Sequence, residues 1–153
     1  NQNMNKEYEI VIIGGGPAGL SAGLYTSRAR RSTLLIERGL VGGLITETEL
    51  VENYPGFPEG ISGLELGELI HQQATKYGLE TLLAEVTGLE LQQGQKIIKT
   101  TEGNFTAKAV IIASGSERLK LGVPGEKEFT GKGVSYCATC DAAFFRELPI
   151  AVA

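Results

Sequence analysis

The chain has 153 residues, of which 42% are hydrophobic and 21% charged. This length suits a single domain, and the proportions exclude a disordered chain. The net charge of −4 disfavours a nucleic-acid partner, which would need a basic surface. The 21 glycines are about twice the usual share and are clustered without a three-residue period. That pattern excludes collagen and indicates backbone that must approach another group closely.

Membrane and cysteine signals bound the cellular context. No apolar run reaches the roughly 20 residues that a membrane span requires. The first residues also lack the hydrophobic core of a signal peptide, so we expect a cytoplasmic protein with no membrane partner. The only cysteines are Cys137 and Cys140. In a reducing compartment, a pair at this spacing is redox-active or metal-binding more often than structural.

The first elements in the chain form a predicted βαβ unit. Residues 8–13 are an apolar, β-branched run that stops at three glycines, which is typical of a buried parallel strand. Residues 17–29 carry apolar side chains at helical spacing behind Pro17, a residue suited to a first helical turn. Residues 33–37 predict a second buried strand. The whole unit spans about 30 residues, as βαβ units do.

The middle of the chain predicts a long connection, a helix and a meander. Residues 38–63 are rich in Gly and Pro, and a connection of this length is usually functional. Residues 64–77 predict an amphipathic helix. Short strands at 85–91, 96–101 and 105–113 are separated by hairpin-like turns. The last of them becomes wholly apolar, so we expect it to return to the buried parallel sheet.

The composition changes after residue 117. Residues 119–134 are punctuated by glycine and proline and predict a linker. Residues 135–145 hold the cysteine pair. Residues 150–153 are apolar and predict the first strand of a new domain. We therefore expect a boundary between residues 117 and 118.

Residues 14–19 carry the first chemical motif. They read Gly-Gly-Gly-Pro-Ala-Gly, which fits G-x-G-x-x-G between a strand and a helix. In this motif Gly14 makes the turn, Gly16 admits a pyrophosphate and Gly19 lets the helix pack closely. The helix N-terminus faces the phosphates. Glu37 ends the second strand, 18 residues after Gly19. An acid at this position accepts hydrogen bonds from ribose hydroxyls.

The cysteine pair is the second chemical motif. The two-residue gap between Cys137 and Cys140 lets the thiols close and reopen a small disulfide ring. Asp141 adds a carboxylate that could move a proton. Zinc is an alternative, but it normally takes four ligands, and His71 is the only histidine. Inert buried cysteines are a further alternative. We favour the redox pair and expect no metal site.

Together these motifs resemble the bacterial low-molecular-weight thioredoxin reductases of the FAD-dependent pyridine nucleotide-disulfide oxidoreductase family. The block Cys137-Ala138-Thr139-Cys140-Asp141 is the most specific, because it separates this family from flavin reductases without a redox pair. The other matching segments occur in the family's order along nearly the whole chain. They are residues 14–19, Glu37, residues 42–46, residues 51–56 and residues 112–115.

The resemblance implies an α/β fold of two parts. The first is a Rossmann-like FAD-binding domain at residues 1–117, with a parallel sheet and an antiparallel three-stranded meander. The second, at residues 118–153, is a linker and the truncated start of a Rossmann-like NADPH domain that carries the redox disulfide. Family members have an NADPH-binding glycine loop and a returning half of the FAD domain beyond these segments. We therefore expect this chain alone to be inactive.

The resemblance also implies a set of site residues. Two positions depart from the family: Leu44 and Ile45 stand where it usually has Gln-Leu, and Ser114 stands where it usually has Thr. The flavin end would lie by Gly42, Gly43, Leu44 and Asn53, the adenine near Val86, and residues 113–115 would close over the cofactor. The full cofactor-binding set is Gly14, Gly16, Pro17, Ala18, Gly19, Glu37, Arg38, Gly42, Gly43, Leu44, Asn53, Val86, Ala113, Ser114 and Gly115.

The implied activity is electron transfer from NADPH through FAD and the cysteine pair to thioredoxin, in a homodimer. On the family's pattern Cys140 is the flavin-proximal thiol, Cys137 attacks thioredoxin and Asp141 is the general acid. One alternative is a related disulfide reductase with another donor or acceptor, such as a ferredoxin-like donor or a peroxiredoxin system. Another is a non-catalytic FAD-binding module.

Overall fold

The computed structural model describes residues 6–153, apart from the side chains of Thr139, Cys140 and Ala143. The chain divides into two compact units. The first ends at Gly115 and the second is Ser116–Ala153. The functional assignment of residues 1–117 and 118–153 to two domains stays a prediction.

The first unit contains the predicted βαβ unit, long connection and meander. Strand β2 has the predicted bounds, while the other predicted helices and strands shift by one or two residues at one or both ends. In chain order the elements are β1 Lys6–Ile13, α1 Pro17–Arg28, β2 Thr33–Glu37, a 3₁₀ helix at Gly43–Glu47, α2 Gly63–Thr75, β3 Glu80–Leu83, β4 Val86–Gln92, β5 Gln95–Thr100 and β6 Gly103–Ile112.

The six strands found in residues 6–153 form one sheet in the order β3-β2-β1-β6-β5-β4. Strand β1 pairs in parallel with both β2 and β6, whereas β4, β5 and β6 pair antiparallel. The predicted mixture of a parallel sheet and an antiparallel meander is therefore confirmed. Strand β6 joins the two halves, as its loss of alternation predicted, because its apolar end lies beside β1.

Strand β3 was not predicted from the sequence. Its four residues, Glu-Thr-Leu-Leu, lie at the edge of the sheet and pair in parallel with β2. Its first and last side chains are exposed, so it lacks the apolar run that marks the buried strands. The strand exists because β2 offers it a partner, which no local pattern reveals.

Two hydrophobic clusters lie on opposite faces of the sheet. Successive strand residues point to opposite faces, so Val11 and Ile12 are both fully buried but belong to different clusters. The first cluster includes Leu20 of α1 and Leu66 of α2, so the helices cover that face. The second cluster draws on the strands themselves and includes Ile98 of β5. Each face is thereby closed by a different part of the unit.

The second unit contains short elements: α3 Glu126–Phe129, α4 Ala138–Asp141 and a 3₁₀ helix at Ala142–Phe145. The strand predicted at residues 150–153 is wrong, because that segment has no regular structure. A strand forms only where a neighbour takes up its N–H and C=O groups, and an apolar sequence does not supply that neighbour. Residues 146–153 therefore contain no strand.

Among residues 6–153, no helix is long and apolar enough to span a membrane.

The edge strand β3 is tied to β1 by a polar cluster. Glu80 accepts hydrogen bonds from the Lys6 ammonium, at 2.8 Å, and from the Tyr8 hydroxyl, at 2.7 Å. The bond from Lys6, followed by that from Tyr8, holds the pKa of Glu80 below its ordinary value of 4.5. A carboxyl whose pKa falls on folding stabilises the folded state above its unfolded pKa and loses that effect as the pH drops through the folded value.

We therefore expect Glu80→Gln to lower the thermal midpoint at neutral pH by only about 1–2 °C, since the charged groups are exposed. Glutamine keeps an acceptor for Tyr8 and removes only the charge. The difference from the unchanged protein should shrink as the pH falls below 4.5 and vanish once the pH is below the lowered pKa of Glu80. Thermal unfolding across that pH range measures it. A difference that persists in acid would show that the charge is not the cause.

Candidate functional site

The predicted cofactor segments meet at one edge of the sheet. Because β1 is parallel to both β2 and β6, Ile13 lies beside Ile36 and Ile112, and the three strands end together. The chain that leaves them begins with Gly14, with the segment after Glu37, and with Ala113. Open α/β sheets bind ligands at the carboxyl ends of their strands. The structure thus brings the glycine loop, Glu37 and the segment that begins at Ala113 close together.

Packing explains two of the three motif glycines. A Cβ on Gly14 would lie 2.1 Å from the carbonyl oxygen of Ala113, and Gly14 has a φ of 108°. A Cβ on Gly19 would lie 1.8 Å from the carbonyl oxygen of Gly14. The Gly14 N–H also donates to the Ile36 carbonyl at 2.8 Å. Neither glycine can be enlarged without moving backbone.

Gly16 is different, because the protein itself leaves room beside it. The nearest atom to a Cβ at Gly16 would be the Gly42 carbonyl oxygen, at 3.8 Å, an ordinary contact. Gly16 caps α1 without a side-chain hydrogen bond, and Pro17 follows at the first position of the helix. The first turn carries no acidic side chain. The positive end of the helix dipole and its unpaired amides thus face a space suited to an anion.

Glu37 braces the loops on either side of it. Its Oε2 accepts the Gly15 N–H at 2.6 Å, and its Oε1 accepts the Gly39 N–H at 2.8 Å. A Cβ on Gly15 would lie 2.9 Å from the Glu37 Cβ, so this position is also restricted to glycine. Each carboxylate oxygen can accept more than one hydrogen bond. The carboxylate can therefore hold the loops and still accept ribose hydroxyls.

The role of Gly15 was missed in the sequence, where it occupies a variable position of the motif. Its only signal was the run of three consecutive glycines.

A second glycine pair is fixed against the first loop. The Gly42 N–H donates to the Gly15 carbonyl at 2.8 Å. A Cβ on Gly43 would come within 2.9 Å of the Gly16 Cα. Both residues have positive φ, 116° and 68°. Leu44 follows in the 3₁₀ helix with half of its surface exposed. The close approach of two glycine loops explains why the long connection needs glycine there.

The Asn53 loop is a separate part of the long connection. Residues 51–61 form a loop whose first and last residues exchange backbone hydrogen bonds of 2.8 and 3.1 Å. The rings of Tyr54 and Phe57, 6.2 Å apart, pack against the same hydrophobic cluster that supports the helices. Asn53 itself is exposed, in a surface cleft lined by residues 52–58.

Of the remaining predicted positions, Arg38 and residues 113–115 follow the same strand ends, and Val86 lies elsewhere in the sheet. Ala113 donates its N–H to the Ile13 carbonyl at 2.8 Å, and its own carbonyl faces Gly14. Ser114 and Gly115 follow on exposed chain, and Gly115 has a φ of 66°. Val86 begins β4 and packs against the second cluster. Arg38 follows Glu37 and is exposed.

The cysteine segment forms a site of its own in the second unit. Cys137 is disulfide-bonded, and the sequence has one other cysteine, Cys140, whose side chain lies outside the described part of the structure. The Asp141 N–H donates to the Cys137 carbonyl at 3.0 Å. The Asp141 carboxylate accepts the Ser135 hydroxyl at 2.5 Å, and the Ser135 Oγ accepts the Cys137 N–H at 3.1 Å. The sequence analysis did not single out Ser135.

Glu126 and Tyr136 form a second polar cluster that the sequence analysis missed. Glu126 is only 7% exposed. The Tyr136 hydroxyl, at 2.7 Å, and three backbone N–H groups hold the pKa of this carboxyl below its ordinary value, against the opposing effect of burial. The same hydrogen bond raises the pKa of Tyr136. The backbone donors belong to Leu121, Gly122 and Val123.

Comparison with known proteins agrees with this geometry. The sequence profile of the pyridine nucleotide-disulphide oxidoreductase family matches residues 8–153. A thioredoxin reductase of Bacillus subtilis (strain 168) is 51% identical over 141 residues, which cover 92% of this chain and 44% of the relative. A thioredoxin reductase of Peptoclostridium litorale is 45% identical over 149 residues, covering 97% and 47%.

The crystal structure of Lactococcus lactis thioredoxin reductase superposes with a TM-score of 0.78 at 47% identity and covers 91% of this chain and 46% of that one. The chain thus spans about half the length of the curated relatives it matches. Since the family profile covers nearly every residue, the chain belongs to the pyridine nucleotide-disulphide oxidoreductase family.

Proposed function

We propose that this chain forms part of an NADPH-dependent thioredoxin reductase, in which it holds FAD and carries the redox disulfide. One observation carries the proposal: the chain combines a glycine cradle braced by Glu37 with a Cys-x-x-Cys-Asp segment whose Cys137 is disulfide-bonded. The relatives named thioredoxin reductase support this choice of activity. NADPH, thioredoxin, a homodimeric assembly and a cytoplasmic location are parts of the proposal.

The cradle fits the pyrophosphate and ribose of FAD. Space is left beside Gly16, at the start of α1, where a pyrophosphate would meet unpaired amides. Pro17, Ala18 and Gly19 continue that first turn. Glu37 would accept the ribose hydroxyls with the lone pairs that Gly15 and Gly39 leave free. Arg38 and residues 113–115, which follow the same strand ends, would complete the adenosine side, and Val86, at the start of β4, would lie near the adenine.

The flavin side of the proposed site draws on the connection after β2. Gly42 and Gly43 lie against the first glycine loop, so this segment can follow the cofactor away from the pyrophosphate. Leu44 would offer an apolar side chain there, and Asn53 an amide. When bound, FAD supplies a ring that accepts a hydride from NADPH and passes two electrons to a disulfide.

The cysteine segment would carry those electrons onward. A disulfide at Cys137 favours a redox pair over zinc ligation, which requires thiolates. Reduction of the disulfide consumes two electrons and two protons and yields two thiols. The Cys137 thiolate then attacks the thioredoxin disulfide and releases one thioredoxin thiolate, which takes a proton. Cys140 displaces the mixed disulfide, which restores the internal disulfide and releases the second thioredoxin thiol, with Asp141 moving the protons.

The decisive experiment uses the full product of the gene. Its visible spectrum should show a bound flavin band, which NADPH should bleach under anaerobic conditions. Subsequent addition of oxidised thioredoxin should restore the band. One NADPH should be consumed for each thioredoxin disulfide that is reduced. A flavin band that NADPH leaves unchanged would contradict the proposed donor. Bleaching without restoration by thioredoxin would contradict the proposed acceptor.

Gly16 allows a separate test of the FAD site. We expect Gly16→Ala to weaken FAD binding about 100-fold, or ~3 kcal/mol, because a methyl group would occupy the pyrophosphate space. The free energy of unfolding of the apoprotein should change by no more than about 1 kcal/mol, which is the size of effect expected from an altered helix cap. Titration of the apoprotein with FAD, followed by flavin fluorescence, measures the affinity.

The matched control for this substitution is Gly88→Ala. Gly88 lies in β4, and a Cβ there would make ordinary contacts of 3.6 Å with the Lys99 side chain. It should leave the affinity for FAD unchanged. Equal affinities for FAD in the Gly16 variant and in the unchanged protein would contradict the proposed cradle.

A further inference from the structure

A closed set of hydrogen bonds surrounds the Cys137–Asp141 segment. The backbone of Asp141 is tied to Cys137 through its N–H, which donates to the Cys137 carbonyl at 3.0 Å. The carboxylate of Asp141 is tied to the same residue through Ser135, which bridges the carboxylate and the Cys137 N–H. The main chain and the side chain of Asp141 are therefore both held to Cys137, which is one half of the disulfide.

The direction of the Ser135 proton follows from the distances. The hydroxyl has one proton and two possible acceptors, the Asp141 carboxylate at 2.5 Å and the Cys137 carbonyl at 3.3 Å. A charged acceptor at the shorter distance forms the stronger bond. The Ser135 oxygen remains free to accept the Cys137 N–H. The result is a continuous chain from amide to hydroxyl to carboxylate, whose bonds polarise one another.

We propose that Ser135 is a positioning residue of the redox site, which orients the Asp141 carboxyl group for proton transfer with the cysteine pair. The inference rests on the proposed role of Asp141 as the proton-transferring group. A carboxylate on a free side chain samples several rotamers, and only some of them direct its oxygens at the sulfur that leaves. The hydroxyl selects one orientation while the disulfide is closed.

A purely structural role for Ser135 predicts a different outcome. A serine that accepts an N–H two residues ahead is a common local turn, and its loss would loosen the segment whatever residue stands at position 141. The positioning role requires that the effect of Ser135 pass through Asp141. A double-mutant cycle separates the two roles, because only residues that act together give a non-additive result.

The test follows reduction of the disulfide by dithiothreitol in the full chain. Dithiothreitol is oxidised to its cyclic disulfide, and the protein disulfide becomes two thiols, so no other reductant is needed. The thiols formed are alkylated at intervals and counted by mass spectrometry. The variants are S135A, D141N, the double variant, S135T, and S116A, which alters an exposed serine of the same unit.

We expect S135A to slow reduction about five- to tenfold, a part of what an acid–base group contributes. The D141N variant should be slower still, and S135A should add nothing to it. The S135T variant, which keeps the hydroxyl, should restore most of the rate, and S116A should match the unchanged protein. The pH profile of the rate should change in S135A, while its thermal midpoint stays close to that of the unchanged protein.

Two results would overturn the proposal. If S135A slows reduction by the same factor whether or not D141N is present, Ser135 acts without Asp141. If D141N reduces at the normal rate, Asp141 is not the proton-transferring group, and the inference fails with that assignment. The wider proposal of a thioredoxin reductase is decided separately, by NADPH bleaching and thioredoxin turnover, so the two failures are distinguishable.

Discussion

Replacing Gly19 with alanine is expected to lower the free energy of unfolding by about 3–5 kcal/mol and to abolish FAD binding. The new Cβ would lie 1.8 Å from the Gly14 carbonyl oxygen. Gly14 has little freedom to move its carbonyl oxygen away. Its N–H donates to the Ile36 carbonyl, and its Cα lies close to the Ala113 carbonyl. Either α1 moves away from β1 or the glycine loop opens, and each outcome loses core packing or the cradle.

Urea unfolding of the full gene product, followed by circular dichroism, measures this effect. The Gly88→Ala variant is again the control, since its Cβ meets no atom closer than 3.6 Å. It should keep the urea midpoint of the unchanged protein within a narrow margin. If the Gly19 variant also kept that midpoint, the close approach of α1 to the glycine loop would be wrong.

Replacing Cys137 with serine is expected to reduce thioredoxin turnover at least about 1,000-fold, because a serine hydroxyl is not ionised at neutral pH and cannot form a disulfide. FAD binding and bleaching by NADPH should persist, since the proposed cofactor site uses the first unit. Steady-state consumption of NADPH with thioredoxin measures turnover, and anaerobic titration measures bleaching.

Cys140→Ser is the matched variant, and it separates the two thiols. It should lose turnover as well, but its remaining Cys137 should form a mixed disulfide with thioredoxin. Only the thioredoxin thiol released in that step can reverse the mixed disulfide, so alkylation of this thiol traps the adduct. Cys137→Ser should form none. Non-reducing electrophoresis with thioredoxin detects the adduct. An adduct formed by the Cys137 variant instead would reverse the proposed roles of the two cysteines.

The sequence predicted the site geometry best where local chemistry determines structure. The βαβ unit followed from one apolar run, one glycine cluster and a second apolar run, and β2 has the predicted bounds. The position of Glu37 beside the glycine loop could be predicted because a strand end fixes it. The parallel pairing of β1 with β6 could be predicted as well, because a strand buried on both faces loses its alternation.

Features that depend on a partner elsewhere in the chain could not be predicted from the sequence in this way. Strand β3 exists only beside β2, and residues 150–153 form no strand without a partner in this chain. The Glu126–Tyr136 bond joins the first residue of α3 to a residue ten positions later, beyond the irregular segment that follows the helix. Ser135 likewise acquires meaning only once α4 brings the Asp141 carboxylate back to it. No spacing rule marks such pairs, since irregular backbone has no fixed period.

The position of β1 between two hydrophobic clusters has a consequence for motion. Val11 and Ile12 are neighbours on one strand, yet each is fully buried on a different face of the sheet. Any fluctuation that exposes the β1 backbone must separate it from β2 or β6 and disturb both faces at once. Such an opening approaches global unfolding of the unit. The amides of β1 should therefore exchange with deuterium most slowly, so the strand that leads into the glycine loop gives it a rigid base.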